Sequence, residues 1–212
     1  MSFLSVEWSL RAKKEIMLES VFDKTPHKFS LAGHIIVSTP YMEGGTCFSK
    51  SVILILTHDK NGTLGVIVNR VITSVRADFL FKSLNLEIDA NKFNAPIHFG
   101  GPVESEKGII LHTNDYSGKA LLNIENNISL SSNVDILKDI AAGHGPRNNL
   151  LVLGYSGWAP GQIESEIKKN VWIPVPFSES LIFLDSNEDK WDIAINSIGI
   201  SSSNFSSSFG RA

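Results

Sequence analysis

The stretch Ser51-Val-Ile-Leu-Ile-Leu-Thr57-His58-Asp59-Lys60-Asn61-Gly62-Thr63-Leu64-Gly65-Val66-Ile67-Val68 decides the fold class. Two strand-sized branched runs flank a short polar segment, in which Asn61-Gly62 supplies the positive φ that a tight reversal needs. Strands apolar on both faces have to be covered on both sides, so the stretch predicts a hairpin of two central strands.

Working outward, Leu31–Ser38 reads as a strand stopped by Pro40, and Val75–Leu86 as a short amphipathic helix with Phe79, Leu80 and Leu84 on one face. Pro96–Phe99 is extended and Gly100-Gly101-Pro102 forces a turn. Gly108–Thr113, Lys119–Ile124 and Ile128–Leu130 follow at roughly ten-residue spacing, which predicts an antiparallel meander. Ser132 with Asp135 forms a capping-box pattern for a helix whose buried stripe is Val134, Leu137, Ile140 and Ala141, closed by Gly143. Asn149–Gly154 is a further buried strand. It feeds the loop Tyr155–Ala159 and a helix entered at Pro160, in which Ile163 and Ile167 share a face and Glu164 pairs with Lys168. Asn170 and Pro174 end that helix. Ser180–Leu184 is a strand or short helix, and Trp191–Ile198 a terminal helix.

The expected fold is α+β: a compact, mixed, largely antiparallel sheet or half-barrel with flanking helices, in a single domain over residues 29–200. Residues 1–28 read as a partly flexible N-terminal extension without the apolar core of a secretory signal, and Met17 is a second candidate start. Residues 201–212, with six serines, read as a disordered tail. With 42% hydrophobic and 19% charged residues the chain belongs with ordinary globular proteins. No apolar run reaches the roughly 18 residues of a membrane span. A net charge of −3 offers no basic face for nucleic acid. The lone Cys47 excludes an internal disulfide and a multi-cysteine zinc site, and fits a reducing, cytoplasmic setting; its glycine-rich neighbourhood keeps a reactive thiol in view.

Chemistry is sparse. His58, His98 and His112 stand at strand ends where they could converge, but no pair has metal-site spacing, so no metal is expected. Gly154-Tyr155-Ser156-Gly157-Trp158 approaches a nucleophile elbow, yet its second glycine is displaced and no histidine follows Ser156. Phosphate-loop motifs are absent and no cofactor is expected. The turn ahead of Gln162 offers helix-start N–H groups to an anion, opposed by Glu164, with Trp158 and Trp172 as alternative packing anchors.

Three stretches together resemble the YqgE/AlgH family. They are Phe48 to Asp59 with Gly62, Gly65 and Asn69; His98 to Val103 with Gly108 to His112; and Gly154-Tyr-Ser-Gly-Trp158-Ala-Pro-Gly-Gln162-Ile-Glu-Ser-Glu166 through Trp172. Leu31-Ala-Gly-His with Ser38-Thr-Pro40 also fits, so the resemblance covers roughly residues 29–198. It implies a bacterial, cytosolic α/β domain without an assigned reaction, whose members include some named as regulators of alginate transcription; it carries over no catalytic residues. The matching positions mark a candidate binding surface of His58, Asp59, Asn69, Gly100, Gly101, Pro102, Trp158, Gln162, Glu164, Glu166 and Trp172. The expectation is a non-enzymatic module that binds an unidentified protein or small ligand, with an indirect effect on gene expression. The alternatives are a hydrolase using His58, Asp59 and Glu166 as acid and base, and a DNA-associated regulator; direct nucleic-acid or membrane binding is not expected.

Overall fold

The two runs of residues 51–68 pair because their alternate side chains find dry cover on either face. Strand β2 (Val52–Asp59) runs antiparallel to β3 (Gly62–Ile67), from Asp59↔Gly62 at the tip to Ile53↔Ile67, and leaves Lys60 and Asn61 as the turn. Gly62 lies at φ +131°, so the glycine of the Asn-Gly pair makes the reversal. This computed structural model describes residues 30–39, 42, 45–75, 80–82, 86 and 95–200.

The remaining strands are β1 (Ile35–Ser38), β4 (Ile97–Phe99), β5 (Val103–Thr113), β6 (Leu122–Ile124), β7 (Ile128–Ser131), β8 (Asn149–Trp158) and β9 (Trp172–Val175). They form one sheet in the order β6-β7-β5-β8-β3-β2-β1-β9, with β4 alongside β8 as the sole parallel pairing among the described residues. Among the described residues, beside a helical piece at 80–82, the helices are α1 (Asp135–Ala141), α2 (Gln162–Lys168), α3 (Glu179–Phe183) and α4 (Lys190–Ser197). None is long and apolar enough to cross a membrane.

The core shows how the sheet curls. One face buries a single cluster drawn from nearly every strand, including Ile35, Leu54, Val66, Ile109, Leu130 and Val152, together with Leu181, Ile182 and Trp191 from α3 and α4. The other face is divided into two clusters. Ile97, Ile110 and Leu151 lie beside Leu80, Phe81, Ile136 and Leu137, while Ile36, Ile53 and Ile67 lie beside Trp158, Ile163 and Trp172. A face that gathers into one cluster is concave and a face that splits is convex, so the sheet is a half-barrel. The turn between β6 and β7 nearly closes it, as Asn126 Nδ2 donates to Gly33 O at 3.1 Å.

Helices α3 and α4 stopper one end. Trp191 Nε1 donates to Ser38 O at 2.9 Å, and Lys190 Nζ donates to Val68 O at 2.9 Å and to Ile182 O at 2.8 Å. Among the described residues the opposite end, where the β2–β3 tip, the start of β5 and the end of β8 meet, is open.

Several local expectations are corrected. The first strand begins at Ile35, because Leu31–His34 makes a turn with Gly33 at φ +76°. The meander is absent: β5 pairs with β7, and β6 lies outside β7 as the sheet edge. The capping box does not form; Asn133 Oδ1 accepts from Ile136 N at 3.2 Å, and Ile136 joins Leu137 in the buried face. Strand β8 continues through Tyr155–Trp158 where the sequence predicts a loop, since Tyr155 pairs with Val103 of β5 and Ser156–Trp158 pair with β3. Helix α2 starts at Gln162, two residues after Pro160. Residues 179–183 settle as helix, capped by Ser178 Oγ on Leu181 N at 3.2 Å. The helix expected over Val75–Leu86 falls partly outside the described residues, although Leu80 and Phe81 are helical and buried. The N-terminal extension over residues 1–28, Pro40 and the serine tail lie wholly outside them.

Candidate functional site

Neighbouring residues His58 and Asp59 work on different sides of the sheet. His58 is opposite Thr63, which is opposite Trp158, so these three side chains share the convex face. Asp59 is opposite Gly62 and shares the concave face with Thr57, Leu64 and Gly157. The register shifts between Ile55 and Thr57, and this bulge sets the assignment: it inserts Leu56 as an extra residue and inverts the alternation beyond it.

The convex face holds a polar network under α2, in which Thr63 Oγ1 and Glu164 Oε2 are buried without a hydrogen-bond partner among the described residues. Leu31 N donates to His58 Nδ1 at 2.9 Å, which leaves Nε2 as the protonated nitrogen facing Glu164 Oε1 at 3.2 Å. Burial raises the Glu164 carboxyl. Its own backbone N–H, His58 and Lys168 outweigh burial and hold it below the ordinary range. Glu166 Oε2 accepts from two indoles, Trp172 Nε1 at 2.7 Å and Trp158 Nε1 at 3.0 Å, and its Oε1 accepts from Gln162 Nε2 at 2.8 Å. The rings of Trp158 and Trp172 stack edge to face at 5.8 Å. Gln162 Oε1 in turn accepts from Ala159 N at 2.9 Å. The acids and indoles therefore anchor α2 to the sheet. His58, Asp59 and Glu166 do not form one acid–base group, because Asp59 faces the opposite side and Glu166 is engaged by three donors. An anion at the start of α2 would meet the Glu164 carboxyl in the first turn.

The other expected site residues are architectural. Gly100 and Gly101 cross β8 backbone to backbone: a Cβ on Gly100 would stand 2.3 Å from Gly154 O, and one on Gly101 2.3 Å from Tyr155 O. Gly100 N donates to Leu153 O at 2.8 Å, so this amide is not offered to a ligand; Pro102 is exposed beside it. Here β8 leaves β4 and takes up β3, with Gly154 at φ +72°. Ser156 is buried and donates to Gly100 O at 3.2 Å, so the stretch is not a nucleophile elbow. Asn69 extends the ladder of β2, accepting from Val52 N and donating to Lys50 O, both at 2.9 Å. Cys47 is half-buried, and its neighbour Lys50 lies over the Trp191 ring at 5.1 Å. The three strand-end histidines do not converge. His98 Nε2 faces Asn187 Oδ1 at 3.2 Å, while His112 is held by Thr113 O at 2.8 Å and Ser131 Oγ at 3.0 Å. Burial pushes both of these imidazoles down.

At the open end of the half-barrel lies a cleft of about 250 Å³, lined by Thr57, Asp59, Leu64, Val103, Tyr155 and Gly157 among others. Among the described residues Asp59 is the only charged group in that lining, and its Oδ1 accepts from Asn61 N at 2.6 Å. Tyr155 closes one wall; its hydroxyl reaches Glu104 Oε1 at 3.3 Å, and burial, reinforced by Glu104, raises its pKa. Glu104 is in turn paired with Lys107 at 3.1 Å. A second, narrower apolar slot, walled by Leu56, Ile109, Leu121 and Leu130, shares Leu64 and Tyr155 with the cleft.

Gly157 is the unusual residue. It is exposed one residue before the end of β8, its φ is ordinary, and an added Cβ would meet only Leu64 Cδ2 at 3.7 Å. Neither backbone nor packing requires glycine there, although glycine weakens a strand. Sequence reasoning took Gly157 for the glycine of a displaced elbow and missed Thr57, Leu64, Val103 and Tyr155 as site residues. The legible signal was an isolated glycine inside a strand pattern.

Comparison with known proteins places this geometry. Residues 35–203 match the AlgH-like family profile. The UPF0301 proteins of Rickettsia felis and Rickettsia typhi are each 40% identical over 190 residues, covering 90% of this chain and 99% of theirs. The solution structure of the AlgH protein from Pseudomonas aeruginosa superposes with a TM-score of 0.69 at 28% identity, over 89% of this chain and 100% of that one. A Corynebacterium diphtheriae crystal structure shares the fold at a TM-score of 0.62 and 20% identity, over 83% of this chain and 91% of that one.

Proposed function

The chain belongs to the AlgH-like family, and on that premise we propose that it is a binding module whose ligand or partner enters the open end of the half-barrel. The observation that carries this reading is the cleft floored by Gly157, a strand glycine whose one consequence is space above Leu64. An influence on gene expression would be indirect, exerted through whatever is bound. The hydrolase alternative draws no support from the geometry, since its acid and base candidates face opposite sides of the sheet.

Gly157→Val tests the reading. Valine suits a strand and fills the cleft without a backbone clash. Proteins and small molecules captured from a native lysate by the full-length protein should be lost from the valine variant while its fold is kept. Undiminished capture by a folded Gly157→Val protein would refute it.

A further inference from the structure

Resting on that reading, we infer that the cleft takes a small, flat aromatic amine, its ring lying over Gly157 and its ammonium on Asp59. Size sets the first limit. About 250 Å³ is below the roughly 300–1,000 Å³ of pockets that hold drug-sized ligands, so a single ring with a short side chain fits. Shape sets the second. The floor at Gly157 is bare peptide, and a glycine in a strand marks a place where another group approaches the backbone closely. Leu64 and the Tyr155 ring stand beside that strip, so a planar apolar body has a plate to lie on and an aromatic edge to meet. Charge sets the third. Among the described residues of the lining Asp59 alone is ionic, whereas the nearby Glu104 is paired with Lys107. An anionic ligand would face the Asp59 carboxylate, which has no ion pair among the described residues, and a cation would supply one. The turn fixes Asp59 through its Oδ1 bond to Asn61 N, so the carboxylate is held at the rim before any ligand arrives.

The test uses three ligands with the same ring and chain: phenethylamine, 2-phenylethanol and phenylacetate, titrated into the full-length protein and followed by amide chemical shifts. Phenethylamine is expected to move the amides of Gly62, Leu64 and Gly157 saturably and to bind about tenfold tighter than the alcohol, with phenylacetate weaker still. Asp59→Asn keeps an oxygen for Asn61 N and should bring the amine to the level of the alcohol, while Gly157→Val should abolish the shifts for all three. If the alcohol or the acid binds in the cleft as tightly as the amine, the cationic assignment is overturned and the cleft reading stands. If none of the three moves cleft amides at millimolar concentration, the aromatic-amine assignment is overturned. The cleft reading is then judged separately by lysate capture on Gly157→Val.

Discussion

At the scale of single residues, polar chemistry in this protein serves two unlike purposes. Glu166 resembles an acid–base candidate in sequence, yet both its oxygens are engaged and two indole N–H groups depend on it. Glu166→Ala should destabilise the fold by about 2–4 kcal/mol, because it removes charge-assisted bonds and leaves Trp158 and Trp172 donors without an acceptor in a largely buried site. Glu166→Gln should fall in between, keeping one oxygen but opposing an N–H to an N–H. Urea denaturation followed by tryptophan emission measures both. Asp59, one residue from His58, has the contrary character: its single protein bond comes from the turn it caps, and its removal should cost well under 1 kcal/mol.

At the scale of elements, the two glycine positions of β8 and its crossing partner separate architecture from opening. Gly100→Ala should cost several kcal/mol or prevent folding, since its Cβ would overlap Gly154 O at 2.3 Å, a contact between backbones that no rotamer relieves. Gly157→Val should lie within about 0.5 kcal/mol of the parent or be stabilising. Parallel thermal melts of the two variants decide this. Helices α3 and α4 carry a further element-scale device, the buried Lys190 that ties Val68 O to Ile182 O. Burial lowers its ammonium to about 8, with Asp185 pulling the other way. The unfolded chain holds that proton up to about 10.5, so it binds more protons than the folded chain between these values and stability rises with pH there. The full contribution, roughly 3 kcal/mol, is present above the unfolded value and is lost as pH falls through the folded one. Chemical denaturation at pH 8 and pH 9.5 should show the parent gaining on Lys190→Met. The comparison stays below pH 10 because Tyr116, raised to about 12 by burial and Asp139, loses stabilising influence above it.

At the scale of the whole molecule, a chain of net charge −3 has no cationic field with which to hold a duplex. No retention on mixed duplex DNA is expected at physiological salt, and a gel-shift series in rising salt checks it. The sheet type, the central hairpin and the terminal helix were legible because each rests on a local signal: branched runs, an Asn-Gly turn, a 3.6-residue period. The order β6-β7-β5 was not, because sequence neighbours pair by default and nothing local reports that β7 intervenes. The candidate surface was legible as a set of positions and illegible as a site. His58, Glu164 and Glu166 hold α2, Gly100 and Gly101 hold a strand crossing, and of the expected surface residues Asp59 and Trp158 line the open cleft. By itself the sequence determined the mixed, largely antiparallel class and the positions of its polar and glycine-rich segments, since composition and periodicity act over a few residues, while the family showed in the resemblance of its motifs. Tertiary structure decided which side of the sheet each segment serves. One bulged residue, Leu56, and one positive φ, at Gly154, invert the alternation of side chains beyond them, and both depend on strands distant in the chain.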